Sequence, residues 1–205
     1  TPIPTYLMAF AAGELEHADR PGGSVPLSVW YRRGLLIDPD DNLDAVAEAM
    51  AVFEDRLGPY PWESYAVVLV PQFGGGMENA TITFNTELSG QGNVSFGLNA
   101  HELAHQWFGD WVTMHGYDDV WVKEGMATLL AAEAQRARRD LEDTGRRFGY
   151  DFAFDASDAI VDRDLTGLDK YTSGPYERAA WTITQIRARV GESAFWASLR
   201  QVLTD

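Results

Sequence analysis

His101-Glu102-Leu103-Ala104-His105 carries two imidazoles four residues apart, and Glu124 follows after eighteen intervening residues, within Trp121-Val122-Lys123-Glu124-Gly125. On a helix, positions i and i+4 share one face, a turn apart. Two histidines so placed can hold one zinc ion, and a carboxylate from a second helix can supply a third ligand. Three protein ligands leave a fourth position for water, the catalytic form of such a centre. Glu102 falls about a quarter-turn off the ligand face. There it can flank the metal without binding it and act as general base toward a water that the metal activates. A surface helix that happens to carry two histidines is the plain alternative. It leaves the other motifs of the chain unexplained.

The elements that must position these groups are legible from periodicity and caps. Ser95 is placed to cap the first helix, expected to end near Gly109, and Asp118 or Asp119 to cap a longer one over 120–139. Arg136, Arg138 and Arg139 in its last turns suit the negative end of the helix dipole. Upstream, 5–12 and 25–31 read as strands on either side of a Pro21-Gly22-Gly23 turn. Leu43, Val46, Met50, Phe53 and Leu57 recur at helical spacing between cap residues at 39–42 and a Gly58-Pro59 stop. A continuous apolar strand at 65–70, a glycine-rich turn at 73–79 and a strand at 81–87 follow. Residues 144–170 show no clean period and read as loop with short helical pieces. Helices are expected over 176–190 and 193–202, separated by Gly191. A strand-rich first half and a helical second half make the class α+β.

Composition narrows the function. With 205 residues, 45% of them hydrophobic and seven of them tryptophan, the chain can bury a substantial core. A net charge of −15 disfavours nucleic acid and anionic membrane as partners and mildly favours cationic ligands, including the amino end of a peptide. Without cysteine, a zinc site must use nitrogen and oxygen ligands, disulfides are excluded, and the redox compartment stays open. No signal peptide opens the chain and no apolar run approaches bilayer length. A soluble protein, cytoplasmic rather than secreted, is expected. The abrupt Thr1-Pro2 start suggests a segment excised from a longer protein.

Four stretches, in order, resemble the aminopeptidase N family of zinc metallopeptidases, the gluzincins that include the leukotriene hydrolases. Gly75-Gly76-Met77-Glu78-Asn79 resembles the family's exopeptidase loop in its double-glycine form. His101 to Gly109, with Gln106-Trp107-Phe108 between, resembles its zinc helix, and Asp119 to Gly125 the segment bearing the third ligand. Tyr171-Thr172-Ser173-Gly174-Pro175-Tyr176 resembles the stretch with the catalytic tyrosine. The resemblance implies a thermolysin-like catalytic domain over 35–205, preceded at 1–34 by the end strands of an N-terminal β-domain, with flanking domains missing. It implies zinc on His101, His105 and Glu124, Glu102 as base and Tyr176 as oxyanion donor, with Tyr171 assisting. It also implies a substrate peptide paired with Gly75, Gly76, Met77 and Asn79, its free amino end on Glu78.

Three departures stand out. Lys123 replaces the usual Asn beside the third ligand, Ala131 stands where the family commonly has Glu, and Arg178-Ala179 replaces Lys-Gly. A zinc-bound histidine needs an outer acceptor. If the missing Glu supplies it in relatives, Asp119, Glu133 or a backbone carbonyl must do so here. The expected activity is removal of single N-terminal residues from peptides. An endopeptidase and a zinc-binding domain without catalysis are the rivals.

Overall fold

The computed structural model describes residues 2–71, 73–87, 95–142, 159–161, 171 and 174–204. Its centre is β3 (Tyr65–Val70), the continuous apolar run, which buries Tyr65, Val67, Val68 and Leu69. A strand apolar on both faces needs neighbours on both edges. β2 (Leu27–Arg32) and β5 (Ile82–Thr86) run parallel to it, one on each side. Antiparallel β1 (Leu15–Arg20) and β4 (Gly76–Met77) close the edges, giving a five-stranded sheet in the order β1-β2-β3-β5-β4. The sheet therefore runs unbroken across residue 34.

One expectation fails here and one strand is unanticipated, each for a physical reason. The apolar stretch at 5–12 contains a single 3-10 turn, Thr5–Leu7, and no strand. Only Leu7 of that turn is buried, and its carbonyl accepts from Ala80 N at 3.3 Å, while Asn79 Nδ2 donates to Tyr6 O at 3.3 Å. Conversely β1 has little apolar alternation to betray it, because this edge strand has no fully buried residue and only half-buries Leu15, Ala18 and Arg20.

α1 (Pro39–Leu57) starts on Asp38, whose side chain accepts from Asp40 N, with Pro39 in the first turn where its missing N–H costs nothing. α2 (Phe96–Ala104) starts on Ser95, whose Oγ accepts from Leu98 N at 3.2 Å. It ends before the expected Gly109, because the chain folds back through tight turns at 105–108. α3 (Val120–Glu142) follows a 3-10 turn at Tyr117–Asp119. A π-helical turn, Gly174–Arg178, leads into α4 (Ala179–Val190), and α5 (Glu192–Thr204) follows Gly191. The loop expectation over 144–170 lies almost wholly outside the described residues.

The helices share one apolar core. Phe53 of α1 meets Trp107 edge-on, at 5.8 Å between ring centres, and Leu103, Leu129 and Leu130 are fully buried beside them. Gly125 brings α4 close: a Cβ there would stand 2.7 Å from the Ala179 Cβ. That contact is what carries the 174–178 turn over the start of α3. No helix among the described residues is long and apolar enough to cross a membrane.

Candidate metal centre and its cleft

α2 turns Ala100, Leu103 and Ala104 into the core and His101, Glu102 and His105 the other way, into a cleft of about 440 Å³. Glu124, near the start of α3, faces them. His101 Nε2 lies 3.1 Å from Glu124 Oε2 and 3.2 Å from His105 Nε2, and His105 Nε2 lies 3.3 Å from the same Glu124 oxygen. Ligand atoms about 2.0–2.2 Å from a tetrahedral zinc ion stand about 3.3–3.6 Å from one another. The three atoms thus form a slightly tight triangle of the size such a site needs. The donor set fits zinc.

One of the two histidine rings has its outer hydrogen-bond acceptor in place. His105 Nδ1 lies 3.0 Å from the carbonyl of Phe108, so the backbone provides the acceptor for this ring. Glu133 is engaged elsewhere, with Arg187. Burial raises the Glu102 carboxyl to about 8, against a partial opposing pull from His101, and Glu102 Oε2 has no hydrogen-bond partner. A buried carboxylate with an unused oxygen beside three metal-type donors suits a base that faces a cation. Tyr176 stacks on the His101 ring, 5.9 Å between centres and 24° apart. Burial first, then Glu124, raises its phenol and keeps it a proton donor.

The glycine-rich stretch divides. Gly76, Met77 and Glu78 line the cleft, whereas Gly75 and Asn79 do not. Gly75 shapes the turn at φ 96°, its carbonyl accepting from Thr86 N, and Asn79 holds Tyr6. Tyr171 lines the cleft beside Tyr176. The tryptophans at 107, 111 and 121 stay out of it: Trp107 is core, and Trp111 Nε1 donates to Leu203 O.

Three residues with a part in the site had no expected role. Gln106 ties the histidine helix to the glycine-rich stretch: its Oε1 accepts from Thr81 N at 2.8 Å, and its Nε2 donates to the carbonyls of Glu78 and Asn79. Thr81 sits at φ 67°, a costly conformation for a β-branched residue that this bond helps to hold. Asp110 is buried with neither carboxyl oxygen hydrogen-bonded, and burial, then Glu78, raises it to about 9. Lys123 reaches into the cleft, where its Nζ bonds Glu78 Oε1 and lies 3.1 Å from Glu124 Oε1. Burial opposes its charge, but Glu124 and Glu78 overrule burial and raise it. Burial likewise works against ionised Glu78 and Glu124, yet the nearby His105 and Lys123 hold both below the usual carboxylate range.

A mixed sheet beside a His-Glu-His helix, with a third donor from the next helix, is the arrangement of a metallopeptidase domain. The chain belongs to peptidase family M1, whose domain matches residues 42–205. Among curated relatives, leucine aminopeptidase 2 of Aspergillus niger is 31% identical, the match covering 95% of this chain and 34% of that protein. Human aminopeptidase B is 30% identical, with 93% and 32% covered. Among solved structures, a mutant two-domain M1 zinc metallopeptidase bound to L-arginine superposes with a TM-score of 0.71 at 28% identity, covering 94% of this chain and 44% of that one. The M1 zinc metallopeptidase of Deinococcus radiodurans gives 0.66 at 25% identity, with the same coverage. The chain spans about a third of the length of these curated relatives.

Proposed function

We propose that this chain is the thermolysin-like catalytic part of a zinc aminopeptidase. The observation that carries this reading is the triangle of His101, His105 and Glu124 donor atoms in the same cleft as Glu78. His101, His105 and Glu124 would hold one zinc ion, which when bound supplies the Lewis acidity that activates water at neutral pH. Glu102 takes the proton from the attacking water and passes it to the leaving amine. Tyr176 donates to the oxygen on which negative charge grows at the scissile carbon, and a protonated phenol does this without adding charge. Glu78 accepts the substrate's α-ammonium, while the backbone at Gly76 and Met77 offers extended pairing on the sheet edge.

A desolvated ammonium needs a fixed negative partner. Glu78, in the same cleft as the donor triangle, would therefore let the first peptide bond, and no later one, meet the water. The test is metal analysis joined to turnover of one peptide series with free and N-acetylated ends. Glu102→Gln should keep zinc and lose roughly two to four orders of magnitude in kcat. Cleavage of blocked ends as fast as free ones, unaffected by Glu78→Gln, would replace this reading by the endopeptidase one.

A further inference from the structure

Glu78 already has an ammonium on it. Lys123 Nζ bonds Glu78 Oε1, lies 3.1 Å from Glu124 Oε1, and sits over the rings of Tyr6 and Tyr171 at 5.8 and 5.5 Å. Its side chain is 3% exposed. Two carboxylates and two aromatic faces around one primary ammonium are the surroundings that a peptide's amino end requires on leaving water. The lysine's methylenes reach this place across Gly109, where a Cβ would touch Lys123 Cδ at 3.4 Å.

Resting on the reading of Glu78 as partner of the substrate's ammonium, we propose that Lys123 is a built-in occupant of that subsite and sets how strictly a free amino end is required. An arriving α-ammonium must either displace Lys123 Nζ from Glu78 or share the carboxylate with it, and like charges at that distance oppose each other. A ligand without the amine escapes that cost. Lys123 thus compresses the discrimination between free and blocked ends that a bare Glu78 would give. Its neighbour in sequence, Glu124, keeps it in place, so the displaced ammonium stays within a side chain's length of the cleft. The same contact holds Glu124 Oε1 and leaves Oε2 alone toward the two histidines.

The experiment is calorimetric titration of the zinc-loaded chain with leucinamide and with N-acetyl-leucinamide, zinc content being measured for every variant. Lys123→Asn should bind leucinamide about 10- to 100-fold more tightly than wild type, with N-acetyl-leucinamide changed by less than about two-fold. Lys123→Met, which keeps the stem and drops the charge, should show the same gain and guards against a packing effect of the shorter side chain. Adding Glu78→Gln to Lys123→Asn should abolish the gain. Leucinamide bound no more tightly by either zinc-loaded lysine variant overturns the proposal. If Glu78→Gln still weakens leucinamide in wild type, the reading of Glu78 survives that failure. A gain that persists in the double variant overturns both.

Discussion

Two ion clusters among the described residues, one partly open to solvent and one buried in the cleft, are built on different charge counts. Between α1, α3, α4 and α5, Arg187 pairs with Glu133 at 2.8 Å and with Glu192 at 3.2 Å, and Arg56 approaches Glu133 at 3.8 Å. Two cations meet two anions across these helices, while Asp55 pairs with Arg56 at the exposed rim at 3.5 Å. In the cleft, Lys123 is the one lysine or arginine among the described lining residues, against Glu78, Glu102 and Glu124. Ionised together, three carboxylates against one ammonium would leave two negative charges uncompensated. Burying unpaired charge is costly enough that the group neutralises instead, and the raised Glu102 is that response. A balanced cluster holds helices together. One in which the carboxyl groups outnumber the cations can take up a further cation, with Glu102 releasing its proton.

The largest effect should come from making that deficit impossible to fill. Glu124→Ala removes one vertex of the donor triangle and leaves Lys123 with Glu78 alone. Zinc affinity should fall by roughly three orders of magnitude or more, since each ligand fixes the geometry of the others. Competition with a chelating indicator measures it. Wild-type affinity in a folded Glu124→Ala protein would remove Glu124 from the site.

The balanced cluster should answer in stability, with no loss of metal. Arg187→Met leaves Glu133 buried with only the longer Arg56 contact, a break that costs about 3–5 kcal/mol in comparable pairs. Adding Glu133→Gln should recover much of that loss, because no uncompensated charge remains. Urea unfolding of the two single variants and the double one gives the coupling. A drop in zinc content in any of them would mean that the clusters are not separate.

How much of this the sequence disclosed depended on the range of the contact. His101, His105 and Glu102 sit within one helical turn and a third, so their geometry follows from their spacing. Glu124 was legible through its motif, and Ser95 through cap chemistry. Lys123 was visible as a cation beside the third ligand, but its bond to Glu78 spans 45 residues and depends on how α3 meets the sheet edge. Gln106 is the same case, since its four partners come from two separate stretches of chain, Tyr60 and the run 78–81. Asp110 gave no signal at all: nothing in Gly109-Asp110-Trp111 says that the carboxyl points inward. Apolarity misled at 5–12 and its absence hid β1.

Asp110 sharpens the comparison, because it adds a further acid beside the cleft cluster. Unfolded, it ionises near pH 4. Folded, it keeps its proton to about 9. Between those values the unfolded chain binds fewer protons, so stability is lost as pH rises, by about 1.4 kcal/mol per pH unit for one group. Asp110→Asn removes this group from the balance. The stability of wild type minus that of Asp110→Asn should therefore decline steadily from pH 5 to pH 8. A flat difference would mean that Asp110 is ionised in the folded protein and has found a cation.

The smallest effect should come from the cap of the helix that carries both histidines. Ser95→Ala removes the bond from Leu98 N to Ser95 Oγ and should cost about 1 kcal/mol of stability. His101 lies six residues further on, beyond the frayed turn, and its helix is pinned by Ala100, Leu103 and Ala104, all at 0% exposure. Packing should hold the ligand face where it is, because a core helix cannot shift without opening cavities against Phe53 and Trp107. The donor triangle should then be indifferent to the cap, with zinc affinity within about two-fold of wild type. Should Ser95→Ala weaken zinc ten-fold or more, the start of α2 and the metal site behave as one cooperative unit. The cleft cluster would then depend on local helix stability in a way that the Arg187 cluster, anchored between four helices, does not.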